Sequence, residues 1–161
     1  MAELAEKSKI MEGIINRFNE LSPSSDFHQN RKEAMDLLNS IGLPTIKNEE
    51  YKFTNITKIL EKEFNSIPHH SNSNIQKEAI QKLDIEGLDV HKLVFINGVY
   101  SSDLSDDITI KGVSVTNLDT AIVEGNESLN KYFGKASRGN KDAFLALNTA
   151  LTEDGALIHL E

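Results

Sequence analysis

Histidine, cysteine, serine and paired carboxylates most often carry chemistry, and this chain places them sparsely. Cysteine is absent, which excludes disulfide scaffolds, thiolate zinc sites, Cys-ligated iron–sulfur clusters and cysteine nucleophiles for these residues. Histidines stand at His28, His69, His70, His91 and His159. Adjacent His69 and His70 offer two imidazoles to a metal, but a metal site needs further ligands at fixed geometry. None is patterned nearby, so a solvated loop is expected there. His159 alternates with Ile158 and Leu160, which puts it on one face of a strand, at a core edge or at the surface. A serine nucleophile needs a histidine and an acid beside it, and no Gly-x-Ser-x-Gly elbow occurs. Glu49-Glu50 and Asp106-Asp107 fall in polar, turn-like stretches, where solvated surface is expected.

Phosphate chemistry fares no better. The glycines, at 13, 42, 87, 98, 112, 125, 134, 139 and 155, never take the spacing of a dinucleotide fingerprint. Gly134-Lys135-Ala136-Ser137 faintly resembles a phosphate loop, yet Leu129 stands where the partner glycine is needed. A helix C-cap at Gly134 is the expectation. Tyr51-Lys52-Phe53 interleaves aromatic and basic side chains, as nucleic-acid surfaces do, but 17 basic against 25 acidic residues leave a net charge of −8. That balance opposes phosphate neutralisation, so the segment is expected to anchor a helix to its neighbours. No catalytic, cofactor-binding or metal-binding residue is assigned, and no cofactor, nucleic-acid partner or enzymatic activity is expected.

The elements that would position such residues follow from periodicity. With 161 residues, 39% of them apolar, the chain can bury roughly 70% of its unfolded surface without staples. It reads as one ordinary domain or two small ones. Leu4, Met11, Ile15 and Phe18, flanked by Ile10, Ile14 and Leu21, form an amphipathic stripe over residues 3–21. Ser22 to Asp26 breaks it and caps a second helix carrying Ala34, Leu37, Leu38 and Ile41, which Gly42 and Pro44 end. A third helix is expected from Asn48 to Phe64, with β-favouring residues near its start. Residues 67–74 are polar and aperiodic and read as a linker, followed by a short helix from Ile75 to Leu83.

From Lys92 the period shortens. Leu93 to Ile96, Asn97-Gly98 and Val99-Tyr100 read as strand, type I′ turn and strand. Ile108 to Ile110 and Val113 to Val115 continue the short-strand theme. Helical pieces are expected at Leu118–Val123, Leu129–Phe133 and Asp142–Leu151, the last with Phe144, Leu147 and Leu151 inward. A final strand covers Ala156 to Leu160. Such a strand leaves an open edge unless something pairs with it. Either it tucks into its own sheet or it belongs to a larger repetitive β structure. The N-terminus lacks a signal-peptide run and no apolar stretch is long enough to span a membrane, so a cytoplasmic location without membrane association is expected.

Three segments, in order, resemble one family. Arg31, Ala34 and Leu38, then Gly42-Leu43-Pro44-Thr45, Lys47, Glu50-Tyr51-Lys52-Phe53-Thr54 and Ile56, are similar to the opening of SufD proteins, with Tyr51 where tryptophan is usual. Leu93 to Ser101 with Leu104-Ser105, Gly112-Val113 and Leu118 to Ala121 follow the second family segment. Asp142 to Ala150 and then Asp154 to His159 follow the third. The resemblance implies a SUF iron–sulfur cluster assembly component, in which SufD pairs with SufB and the SufC ATPase as a scaffold. It also implies a longer protein that continues into a right-handed parallel β-helix and a C-terminal helical part, where the cluster-associated Cys and His residues lie. Only structural positions carry over: Gly42, Pro44, Asn97, Gly98, Asn148, Asp154 and Gly155.

The resulting expectation is an α+β fold: a helical region over 1–66, a linker over 67–74, and a mixed α/β region over 75–161 that begins the β-helix. The function expected is that of a non-catalytic scaffold fragment of the SufBCD complex, whose open 156–160 edge invites self-association. The rivals are a free-standing α+β protein–protein adaptor and, more distantly, a small hydrolase.

Overall fold

A computed structural model describes residues 8–21, 23, 27–64, 75–137 and 139–161. In chain order its elements are α1 (Lys9–Glu20), α2 (Phe27–Ile41), a 3₁₀ turn (Glu49–Tyr51), α3 (Ile56–Glu63), α4 (Lys77–Gln81), β1 (Phe95–Ile96), β2 (Val99–Tyr100), β3 (Val113–Asn117), α5 (Leu118–Val123), α6 (Glu127–Tyr132), α7 (Ala143–Ala150) and β4 (Ala156–Leu160). The fold is α+β. Expectations for Leu4, for most of Ser22 to Asp26, for the 67–74 linker and for His69-His70 lie outside the described residues.

The chain divides into two compact units. Residues 1–68 and 130–152 form the first, and 69–129 with 153–161 the second. The sequence grouped everything from 75 onward into one region, whereas α7 joins the N-terminal helices. The reason is its composition: Ala143, Ala146 and Ala150 present a face without bulk, and all three are buried with Ile10, Ile14, Ala34, Met35 and Leu38 in one core. Small side chains allow a close backbone approach, and α7 packs along α2. Phe144, Leu147 and Leu151, expected inward, are only half-buried.

In unit 1 the Ser8 hydroxyl accepts from the Met11 N–H at 3.4 Å and caps α1. The innermost residues of α1 are Ile10 and Ile14, one step around from the Met11–Ile15 stripe, which packs at the core's margin. α2 ends as expected: Gly42 takes φ +71°, and its N–H donates to the Leu38 carbonyl at 2.8 Å. The anticipated third helix is split. Residues 49–51 form the 3₁₀ turn, and α3 starts only after Asn55, whose side chain accepts from the Lys58 N–H. The β-favouring run Tyr51 to Thr54 is the interruption.

Unit 2 holds two antiparallel ribbons. β1 and β2 pair Phe95 with Tyr100 and Ile96 with Val99, and both turn residues have positive φ, Asn97 at 51° and Gly98 at 87°, as a type I′ turn requires. β4 pairs with β3 along its whole length, from Val113↔Leu160 to Asn117↔Ala156. The two ladders among the described residues are antiparallel, so no β-helix rung is seen and β4 has its partner inside the chain. The Ile108–Ile110 segment is not a strand.

Asp154 joins the pieces of unit 2. One carboxylate oxygen accepts from the Tyr100 N–H at 2.7 Å, and the other from the N–H groups of Gly155 at 2.8 Å and Asp119 at 3.2 Å and the Asn117 amide at 3.4 Å. Gly155 is small for a reason, since a Cβ there would lie 3.3 Å from Leu118 Cδ2, while its carbonyl accepts from the Leu118 N–H at 3.0 Å.

Candidate interaction site

A cleft of about 490 Å³ opens in unit 1 where three stretches converge. The end of α2 supplies Ile41, Gly42 and Pro44; the 3₁₀ turn supplies Asn48, Glu50 and Tyr51; the start of α7 supplies Asn140 to Ala143. Each stretch is fixed locally. The Asn48 side chain accepts from the Thr45 N–H at 2.9 Å, and the Thr57 hydroxyl donates to the Pro44 carbonyl at 2.6 Å. Asp142 caps α7 by accepting from the Leu145 N–H at 2.8 Å.

At the back of the cleft the Tyr51 hydroxyl donates to Asp142 Oδ2 at 2.8 Å, and the Tyr51 ring lies 5.8 Å from that of Phe144. Two residues 91 positions apart are thereby clasped. The Leu145 N–H, and after it the Tyr51 hydroxyl, hold the Asp142 carboxyl below its ordinary range. The same bond, with some desolvation, pushes Tyr51 up. Near neutrality the carboxylate stays ionised and the phenol protonated, and both Asp142 oxygens are occupied. Both groups are thus engaged with each other and with the start of α7, and the arrangement holds the 3₁₀ turn against that helix.

The sign of the pH response follows. Asp142 is depressed in the folded state, so its contribution is present above the unfolded carboxyl range and lost as pH falls through the folded value. Tyr51 is raised, so its contribution is present below its unfolded range near 10 and lost as pH rises through the folded value. We expect Tyr51→Phe to lower unit 1 stability by about 1 kcal/mol and to weaken its loss at alkaline pH. Asp142→Ala should cost about 1–2 kcal/mol through the lost cap. Urea unfolding from acid to alkaline pH checks both.

The other residues singled out by sequence do not converge on this cleft. Phe53 is 93% exposed, its ring met by the Lys52 ammonium at 5.6 Å; of the expected aromatic anchor only Tyr51 anchors. Asp106 is not idle surface, for it accepts from the Lys92 N–H at 2.7 Å. His28 stacks on Phe18 at 5.5 Å, and His91 and His159 are exposed. Gly134 takes φ +69° just past α6, as a cap would. Among the described residues no three His, Asp or Glu side chains gather closely enough to hold a metal ion, and no helix is long and apolar enough to cross a membrane. Sequence reasoning missed the Tyr51–Asp142 clasp, because nothing in the local pattern of either residue points to the other.

The cleft and the Asp154 junction bring together parts of the three family-like segments, and comparison with known proteins matches the same stretch. The family described as "SufBD protein N-terminal region" matches residues 16–161. An iron–sulfur cluster assembly SufBD family protein of Synechocystis sp. is 28% identical over 129 residues, 80% of this chain and 28% of that protein. The chain thus spans less than a third of the length of that relative. With nearly all of its residues inside the family match, the chain belongs to the SufB/SufD family.

Proposed function

We propose that this chain supplies the N-terminal, non-catalytic part of a SufD-like scaffold subunit, docking with SufB and SufC in a cytoplasmic SufBCD complex that assembles iron–sulfur clusters. The observation that carries this reading is the family match across residues 16–161; the relative named for iron–sulfur cluster assembly supports it. The chemistry of these residues is in keeping with a docking role. Asp142, Asp154, Asn97 and Gly155 serve caps, turns and junctions, and a cysteine-free chain brings no thiolate to a cluster. Co-expression with tagged SufB, and separately with tagged SufC, tests it. Retention of the chain with at least one of them through gel filtration is expected, and loss from both overturns the proposal.

The second edge of β4 bears on self-association. Ile158 and Leu160 are 56% and 68% exposed, and they share one face of the ribbon with Val113 and Val115. No lysine or proline guards this edge. In a longer protein it would carry the first rung of the β-helix that the resemblance implies; in this chain we read it as the pairing edge for a second copy. Light scattering should then find a dimer, and Ile158→Lys a monomer of unchanged fold. A wild-type monomer across the concentrations tested would sink the idea.

A further inference from the structure

Residues 83–90 of unit 2 carry apolar side chains that the described residues leave at least half exposed. Leu83 and Ile85 are 76% and 70% exposed, and Leu88 and Val90 are 55% and 50% exposed. Single exposed aliphatics are ordinary, but four within eight residues make a patch. These side chains border a groove of about 280 Å³.

The backbone there is held at its ends and open between them. The Leu83 and Asp84 N–H groups donate to the Ile80 and Gln81 carbonyls at 2.9 and 3.1 Å, and the Lys92 carbonyl accepts from the Asp106 N–H at 2.8 Å. Within the stretch Leu88 N–H donates to the Ile85 carbonyl at 3.1 Å, closing a turn. Asp89, Val90 and His91 bond to no other described residue. Between those anchored ends the stretch thus carries unused main-chain groups beside its exposed apolar side chains.

Charge selects the occupant. The Lys92 ammonium is taken by Asp84 at 2.8 Å, which holds Lys92 above its ordinary range. Glu86 and Asp89 have no ion pair among the described residues. Of the charged residues lining the groove, Asp84 and Lys92 are thus paired and Asp89 is left over, so the lining is negative on balance in a chain of net charge −8, with Glu86 beside it in the Ile85–Leu88 turn. We propose that this groove docks a basic amphipathic helix of a partner protein, its aliphatic side chains entering among Leu83, Ile85, Leu88 and Val90 and its Lys or Arg residues facing Glu86 and Asp89. An apolar stripe in a groove, flanked by opposite charge, is a recurrent mode of peptide recognition. The docking does not depend on the assembly role proposed above and can fail or succeed separately from it.

The test uses the full chain and a fluorescein-labelled amphipathic helix of Leu and Lys, with a Leu/Glu helix of the same pattern as control, read by fluorescence anisotropy at two salt concentrations. Salt-sensitive binding of the Leu/Lys helix is expected, with protection from hydrogen exchange mapping to 83–92. Ile85→Ser/Leu88→Ser, at positions already exposed, should weaken binding about tenfold or more. Glu86→Gln/Asp89→Asn should weaken it several-fold and flatten its salt dependence. Val123→Ser, an equally exposed apolar position in the same unit (78%), should leave it unchanged. Equal binding of the Leu/Glu helix, protection elsewhere, or binding indifferent to Ile85 and Leu88 would overturn the proposal.

Discussion

Asp154→Ala is expected to lower the stability of unit 2 by about 2–4 kcal/mol, one of the two strongest effects we anticipate. The carboxylate accepts from three backbone N–H groups and one side-chain amide, and alanine leaves all four donors without it. Tyr100 lies in β2, Asn117 ends β3, Asp119 opens α5, and Gly155 leads into β4, so the loss reaches both ribbons at once. Asp154→Asn keeps one acceptor oxygen and loses the charge, and should fall between alanine and wild type. Urea unfolding gives the magnitude. Hydrogen exchange gives the cause, for the Tyr100, Asp119 and Gly155 amides should exchange faster in the alanine variant. A loss below about 1 kcal/mol, the worth of a single hydrogen bond, would show that these bonds are replaced by water without penalty.

Arg31→Ala should cost unit 1 about 3 kcal/mol. Arg31 is only 6% exposed, which an arginine accepts only with partners. Its Nε donates to the Thr152 carbonyl at 2.8 Å, just past α7, and its guanidinium lies 5.0 Å from the centroid of Phe27. Phe27 in turn meets Phe133 edge-on at 4.6 Å. Alanine removes the stem, the stacking and the donor together, whereas Arg31→Met keeps the stem and should recover part of the loss. Arg31→Lys retains charge but lacks the planar group that bonds through Nε while lying over a ring, so it should remain well below wild type. Thermal unfolding of the three variants orders them. A lysine variant as stable as wild type would mean that charge alone matters.

Much of the fold could be read from local signals. Gly42 ends α2, Asn97-Gly98 turns the first hairpin, and Leu118–Val123 and Ala156–Leu160 form the elements their patterns announced, because each depends on residues adjacent in sequence. Errors arose where partners are distant. The apolar stripe of α2 suggested Ile41, but the buried face runs through Phe27, Arg31, Ala34, Met35 and Leu38. An arginine between aromatic and apolar neighbours looks like surface until Thr152 arrives from the other end of the chain. In α7 the bulky residues drew attention from the alanines, although close packing against α2 selects small side chains.

The candidate sites were less visible for the same reason. Tyr51 was recognised as an anchor and Asp142 as a helix start, yet their bond joins residues no periodicity relates. Leu83 reads as the end of a short helix, and only solvent exposure marks it, with Ile85 and Leu88, as available. The resemblance located the chain's family from three short segments. It named Asp154 and Gly155 as turn and packing residues, and the structure adds what they hold.

The return of α7 to the N-terminal helices sets a schedule for synthesis. The face of α2 that receives Ala143, Ala146 and Ala150 is complete in sequence by Ile41, but its cover begins only at Ala143. At ribosomal speeds of about 5–20 residues per second, that gap of roughly 100 residues leaves the nascent apolar face without its partner for on the order of 5–20 s. During that interval unit 2 up to Leu129 emerges and can pair β1 with β2, whereas β3 must wait for the last residues to receive β4. α1 and α2 are thus made long before their cover arrives, and a chaperone that shields short apolar helices would act on them during that interval.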